Sequence, residues 1–256
     1  MLKQLLFCLT EDCLITERMI YMAYQYRSRI RYSEIGEDKK LTLPGLVNYF
    51  QDCSTFQSEA LGIGLDTLGA RQRAWLLASW KIVIDRLPRL GEEVVTETWP
   101  YGFKGFQGNR NFRMLDQEGH TLAAAASVWI YLNVESGHPC RIDGDVLEAY
   151  ELEEELPLGP FSRKIPVPEE STERDSFLVM RSHLDTNHHV NNGQYILMAE
   201  EYLPEGFKVK QIRVEYRKAA VLHDTIVPFV CTEPQRCTVS LCGSDEKPFA
   251  VVEFSE

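Results

Sequence analysis

The 256-residue chain is 44% hydrophobic and 25% charged, enough apolar material to bury a sizeable core without metal or disulfide support. Its formal charge of −11 excludes a general nucleic-acid binder, which needs a basic face for phosphate. The seven cysteines form no CxxC pair, a usage that suits reduced thiols in a cytoplasmic protein, and no apolar run approaches the ~18–20 residues of a membrane span.

Residues 1–20 read as an N-terminal extension: the apolar start, Leu2 to Phe7, is too short for a signal-peptide core and is followed by Glu11 and Asp12. A first unit is expected over 21–142. It opens with a strand from Tyr24 to Arg31 and a polar loop from Ser33 to Lys40. Thr42 then caps a helix from Leu43 to Leu61 with Pro44 in its first turn, and Leu46, Phe50, Cys53 and Phe56 or Gln57 supply an apolar stripe. Gly62 and Gly64 stop it. Strands follow at 79–84, 90–94 and 96–99, then a hairpin of 109–115 and 122–132 around a turn at 116–119.

Residues 143–176 carry Glu151, Glu153, Glu154 and Glu155 with Pro157, Pro160, Pro166 and Pro168, a linker by composition. A second unit over 177–256 repeats the order of the first. It runs from a strand, Phe177 to Arg181, through a polar loop from His183 to Val190 to a helix from Gly193 to Leu203 capped by Asn192, with Tyr195, Met198, Ala199 and Tyr202 buried. The interval from Ile82 to Leu90 equals that from Val214 to Leu222, and the second unit also closes with a hairpin, 237–242 and 249–254. A strand, a helix and four strands, twice over, predict an α+β tandem (double) hotdog, each copy an antiparallel sheet wrapped around a central helix.

The stretch from Leu184 to Tyr195 concentrates the polar chemistry. Asp185, Asn187 and His189 are spaced i, i+2, i+4, so an extended segment points all three to one side, just ahead of a helix start where backbone donors can hold a developing oxyanion. Asn191 and Asn192 read as caps, and adjacent histidines without HExxH or a cysteine partner predict no metal. The absence of GxSxG argues against an α/β-hydrolase.

This stretch resembles the D-x-N-x-H-V-N-N-x-x-Y segment of acyl-acyl carrier protein (acyl-ACP) thioesterases, the plant plastid enzymes and their shorter bacterial relatives. Residues 31–34, 46–54 and 214–218 extend the resemblance over about 22–255. It implies a double hotdog without cofactor or metal that hydrolyses the acyl thioester of acyl carrier protein during fatty-acid biosynthesis. It also implies that Asp185, Asn187 and His189 are the active-site residues. After the matching 215–218 stretch, plant members place an acidic residue and a cysteine, where this chain has Ala219 and Ala220.

A cysteine nucleophile there is excluded, so water is expected to attack. Asp185 or His189 then serves as general base, Asn187 holds the water or the carbonyl oxygen, and Glu215 replaces the lost acid if it faces the cleft. The acyl tunnel is expected in the first unit, which lacks the motif. Docking of the acidic carrier is expected on Lys208, Lys210, Arg213, Arg217 and Lys218, with Arg110 and Arg113 as further candidates. An acyl-CoA thioesterase, a hydratase and a non-catalytic acyl-thioester sensor are the alternatives, and a homodimer is left open.

Overall fold

The computed structural model describes residues 23–256; the N-terminal extension expected over 1–20 lies outside them. Strand β1 (Tyr24–Arg29) leads to helix α1 (Leu43–Ala60) and the short α2 (Leu65–Ala70). Strands β2 (Arg73–Ile84), β3 (Glu93–Lys104), β4 (Gln107–Leu115) and β5 (Thr121–Asn133) follow, with a short β6 (His138–Pro139) and α3 (Gly144–Ala149). The second half contains β7 (Thr172–Glu173), β8 (Phe177–Leu178), α4 (Asn192–Glu200), β9 (Gln211–Tyr216), β10 (Thr225–Glu233), β11 (Arg236–Cys242) and β12 (Pro248–Ser255).

The strands form one antiparallel sheet in the order β1-β3-β4-β5-β2-β9-β12-β11-β10-β7. The halves meet where β2 pairs with β9, from Ser79 opposite Glu215 to Val83 opposite Gln211. Strand alternation gives this seam two faces. Trp80, Ile82, Ile212 and Val214 point to the helices and join one core that runs through both halves. Ser79, Lys81, Arg213 and Glu215 take the other face. The chain is a double hotdog, with α1 in one curved half-sheet and α4 in the other.

Helix α1 forms as its sequence dictates. The Thr42 hydroxyl accepts the Gly45 N–H at 3.1 Å, and Leu43, Leu46, Val47, Phe50, Cys53 and Gln57 make a buried stripe at i, i+3, i+4 spacing. Phe50 meets Phe112 and Trp80 of the sheet at ring-centroid distances of 5.4 and 6.1 Å. The helix ends before Gly62, whose φ of 72° is one that glycine adopts without strain. Helix α4 is half as long. Its N-cap is Asn191 rather than Asn192, and Tyr202 and Leu203 fall in a turn beyond its end.

Two further elements differ from the sequence expectation. The strand expected over 177–181 covers only Phe177–Leu178, because a 3-10 turn occupies Arg181–His183. The stretch with linker composition begins with α3, whose Val146 packs beside Tyr150 and Tyr131. It then crosses the outer face of the sheet. Trp99 Nε1 donates to the Glu154 carbonyl at 2.8 Å, Lys81 Nζ donates to the carbonyls of Leu158 and Pro160, and Ile165 is buried. Among the described residues, no helix is long and apolar enough to cross a membrane.

Candidate active site

The loop before α4 is a tight hairpin rather than an extended run. Leu184 and Val190 bridge, Asp185 N donates to the His189 carbonyl at 2.8 Å, and His188 N donates to the Asp185 carbonyl at 3.1 Å. His188 takes the left-handed conformation, φ 60°, completing a turn followed by a bulge residue. Asp185 suits the first position of such a turn because its carboxylate can cap the backbone. Its Oδ1 accepts the Asn187 N–H at 2.8 Å and the His189 N–H at 3.4 Å. The contact with His189 is therefore to backbone, not to the imidazole ring. Asp185 is half-buried; Asn187 and His189 are exposed.

The first half builds the same hairpin. Ile35 and Leu41 bridge, Gly36 N donates to the Lys40 carbonyl, Lys39 N to the Gly36 carbonyl, and Lys39 has φ 62°. Gly36, Asp38 and Lys40 thus stand where Asp185, Asn187 and His189 stand in the second half.

Behind the second hairpin, the segment after β9 is held by two tyrosines. Tyr195 Oη accepts the Ala220 N–H at 2.9 Å, and Tyr216 Oη donates to the Asn192 carbonyl at 3.0 Å. Burial pushes the Tyr195 phenol up to about 12 and holds that of Tyr216 well above its ordinary value, so both stay neutral. The α4 start is less open than the sequence suggests. Asn191 Oδ1 takes the Gly193 N–H at 2.8 Å, and Asn192 Nδ2 donates to Gln51 Oε1 of α1 at 2.7 Å. A Cβ on Gly193 would meet Asn48 Oδ1 at 3.1 Å, so the two helices pack closely there.

A cavity of about 580 Å³ opens beside this hairpin. Thr186 and Asn187 contribute to its wall, and the other lining residues come from the first half: Ser54 and Ser58 of α1, the α2 region, Trp75, Phe103 and Arg110. Asn187 is thus the motif residue at the cavity, with Asp185 fixing the backbone that presents it.

Glu215 does not join them. It sits on the outer face of β9, where Oε2 accepts the Ile165 N–H and an Arg217 Nη2–H, both at 2.9 Å. The sequence expectation required it to face the cleft, and the alternation of β9 turns it the other way. The expected basic cluster also separates. Arg110 is buried beside Gln57, and Arg113 is bonded to Glu97. Arg213 pairs with Glu253 on the outer face. At roughly 3.3 Å per residue, β9 sets Lys208 and Lys210 about 17 Å or more from Lys218.

The sequence matches the family model for the acyl-ACP thioesterase N-terminal domain over residues 22–150, and the corresponding C-terminal domain over 167–243. The chain belongs to the acyl-ACP thioesterase family. Among relatives of this family, the chloroplastic palmitoyl-acyl carrier protein thioesterase of Arabidopsis thaliana is 27% identical over 216 residues, covering 77% of this chain and 52% of that one. Oleoyl-acyl carrier protein thioesterase 1 of the same plant is 24% identical over 231 residues, covering 80% and 62%. The chain spans about half the length of the curated relatives it matches first.

Two solved acyl-ACP thioesterase structures share the fold. One, from Bacteroides thetaiotaomicron, has a TM-score of 0.83 at 20% identity, covering 91% of this chain and 97% of that one. The 12:0-ACP thioesterase of Umbellularia californica has a TM-score of 0.79 at 17% identity, covering 91% and 96%.

The cavity also holds a polar group that the sequence put among the carrier-docking candidates. Arg110 Nη1 donates to Gln57 Oε1 and to Thr98 Oγ1, and its guanidinium lies 5.1 Å from the Tyr150 ring centroid. The signal was present: Gly108, Arg110, Phe112 and Met114 alternate, which puts Arg110 on the helix-facing side of β4.

Proposed function

We propose that the chain hydrolyses fatty acyl thioesters of acyl carrier protein, releasing free fatty acid and the carrier thiol. The observation that carries this reading is the cavity of about 580 Å³, lined mainly by the first half and reaching Asn187 of the second-half hairpin. A chain lying in the cavity with its thioester at that rim places the carbonyl beside Asn187. Water adds to the carbonyl carbon, the Asn187 amide N–H holds the developing oxygen, and the intermediate expels the thiolate. His189, exposed on the same hairpin, takes the water proton and returns it to the departing sulfur. Asp185 positions both through its bonds to their backbone N–H groups.

In this reading the first half holds the acyl chain and the second half supplies the reacting groups. Burial of methylenes contributes roughly 0.8 kcal/mol each, so a cavity of this kind selects long chains over short ones. The acidic carrier docks at Lys218, exposed on the segment that leads to Ala220 beside the hairpin, and Lys208 and Lys210 do not contribute. The five described cysteines are all free, in keeping with a cytoplasmic setting.

The test is hydrolysis of matched acyl-ACP and acyl-CoA substrates by the native chain and by Asn187→Ala. The expected outcome is faster turnover on the carrier, with Asn187→Ala lowering kcat by about 10²–10³ while Tm holds. Faster turnover on coenzyme A would reassign the substrate, and an unaffected kcat in Asn187→Ala would remove the site.

A further inference from the structure

The cavity contains an ionic group that a plain hydrocarbon chain does not explain. Arg110 is buried, and its neighbours are Gln57, Thr98 and the face of Tyr150. No carboxylate among the described residues forms an ion pair with it. A guanidinium carries five N–H donors in a fixed fork and stays protonated, so it brings a full positive charge into the cavity wall. Burying such a charge is costly unless an acceptor of matching polarity completes its shell. A saturated chain filling the cavity would displace water from Arg110 and offer nothing in return.

The position of Arg110 says which part of an acyl chain would meet it. Asn187 is exposed at the edge of the cavity, whereas Arg110 is buried in its wall. The Tyr150 ring lies against the guanidinium and its hydroxyl meets Ser58 of α1 at 2.7 Å, so this group is tied to the interior of the first half. With the thioester at the Asn187 edge, Arg110 faces a part of the chain deeper in the cavity, toward its distal end.

We propose that Arg110 is a specificity-determining residue that receives an oxygen acceptor, a hydroxyl or a carboxylate, carried on the distal part of the acyl chain. The class of ligand is therefore an oxygenated acyl thioester, with Gln57 and Thr98 holding the guanidinium in place. This inference rests on the thioesterase reading for the direction of the bound chain.

The experiment uses non-hydrolysable pantetheine thioethers bearing an alkyl chain, the same chain with a terminal hydroxyl, and the same chain with a terminal carboxylate, in a series of lengths. Binding is measured by calorimetry to the native protein, to Arg110→Met and to Gln57→Glu. The native protein is expected to bind one of the oxygenated chains roughly tenfold tighter than its alkyl match, as a charged hydrogen bond supplies, and at one chain length best. Arg110→Met should erase that preference, as should Gln57→Glu, which gives the guanidinium a carboxylate of its own.

Equal or tighter binding of the alkyl chain at every length overturns the proposal without reference to either variant. Persistence of the preference in a folded variant overturns it as well. If the oxygenated preference holds but none of the carrier thioesters is turned over, the hydrolase reading falls and the assignment of Arg110 stands.

Discussion

Glu215 offers the sharpest separation between a structural and a catalytic role, because the structure assigns all its bonds to the outer face. Its Oε2 accepts from Ile165 N and Arg217 Nη2, and Ile165 itself is buried. Glu215→Ala leaves the Ile165 N–H without an acceptor, a loss of about 1–3 kcal/mol for a buried donor. The Arg217 side chain is a third exposed, so its share is screened by solvent and adds no more than about 1 kcal/mol. A total near 3 kcal/mol lowers Tm by roughly 6–12 °C in a chain of this size. Glu215→Gln keeps an oxygen for the Ile165 N–H and should lose less than half as much.

Thermal denaturation of both variants gives the stability side, and steady-state hydrolysis of an acyl-ACP substrate gives the other. The expected pattern is a lowered Tm for Glu215→Ala, a smaller drop for Glu215→Gln, and kcat within about threefold of native for both at a temperature where each is folded. A collapse of kcat in Glu215→Gln by a factor of ~10² or more, with Tm unchanged, would refute the reasoning and restore Glu215 as the base.

Glu200, at the end of α4, has its carboxyl pushed up to about 7 by burial first, then by Glu201 and Asp38. The folded state binds this proton more tightly than the unfolded chain does, so Glu200 lowers stability as pH rises through the interval between the ordinary carboxylate range and about 7. Glu200→Gln should therefore raise Tm near pH ~8 and lose that gain toward pH ~4; an equal gain at both would exclude the linkage. Asp185→Asn retains an oxygen for the Asn187 N–H and should keep kcat within about tenfold, whereas Asp185→Ala loses the turn and should drop kcat by ~10² or more. An Asp185→Asn rate as low as that of Asp185→Ala would make the carboxylate itself the base. Lys218→Glu should raise KM for carrier-bound substrates and leave KM for acyl-pantetheine alone, while Lys208→Glu should change neither; the reverse ranking would move the docking site.

Much of the architecture was legible because local signals and packing agree. The Thr42 cap, the α1 stripe and the Gly62 stop all recur in the structure, as does the repetition of strand order. What failed was local chemistry overridden by geometry at close range. A run of i, i+2, i+4 polar residues reads as extended, yet an aspartate, a polar triplet and a left-handed residue also fit a turn, and the bridge between Leu184 and Val190 selects the turn. Glu215 is a candidate only on condition that it faces the cleft, and strand parity with the buried Val214 turns it outward. The seven residues from 144 to 150 looked like linker because the acids and prolines that follow dominate the window, yet Val146 and Tyr150 are buried against the first half.

The two halves differ in the length of their helices, and the cavity follows the longer one. Thr42 and Asn191 cap equivalent helices, and nine residues beyond each cap lie Gln51 and Glu200. Helix α4 ends at Glu200, but α1 continues to Ala60, and Ser54, Thr55 and Ser58 of that extra length line the cavity. The second half has no helical counterpart of this wall. Because the α4 start packs on α1 through Asn192 and Gln51, the hairpin that precedes α4 overlooks the longer helix. Its first-half twin has Asp38 acting on Glu200, at the end of the shorter helix. Of two hairpins with the same hydrogen-bond pattern, the one that contributes to the wall of the cavity of about 580 Å³ is the one that carries Asp185, Asn187 and His189. The helix of the first half continues past the position where α4 stops, and that added length is what gives the cavity beside the second hairpin its α1 wall.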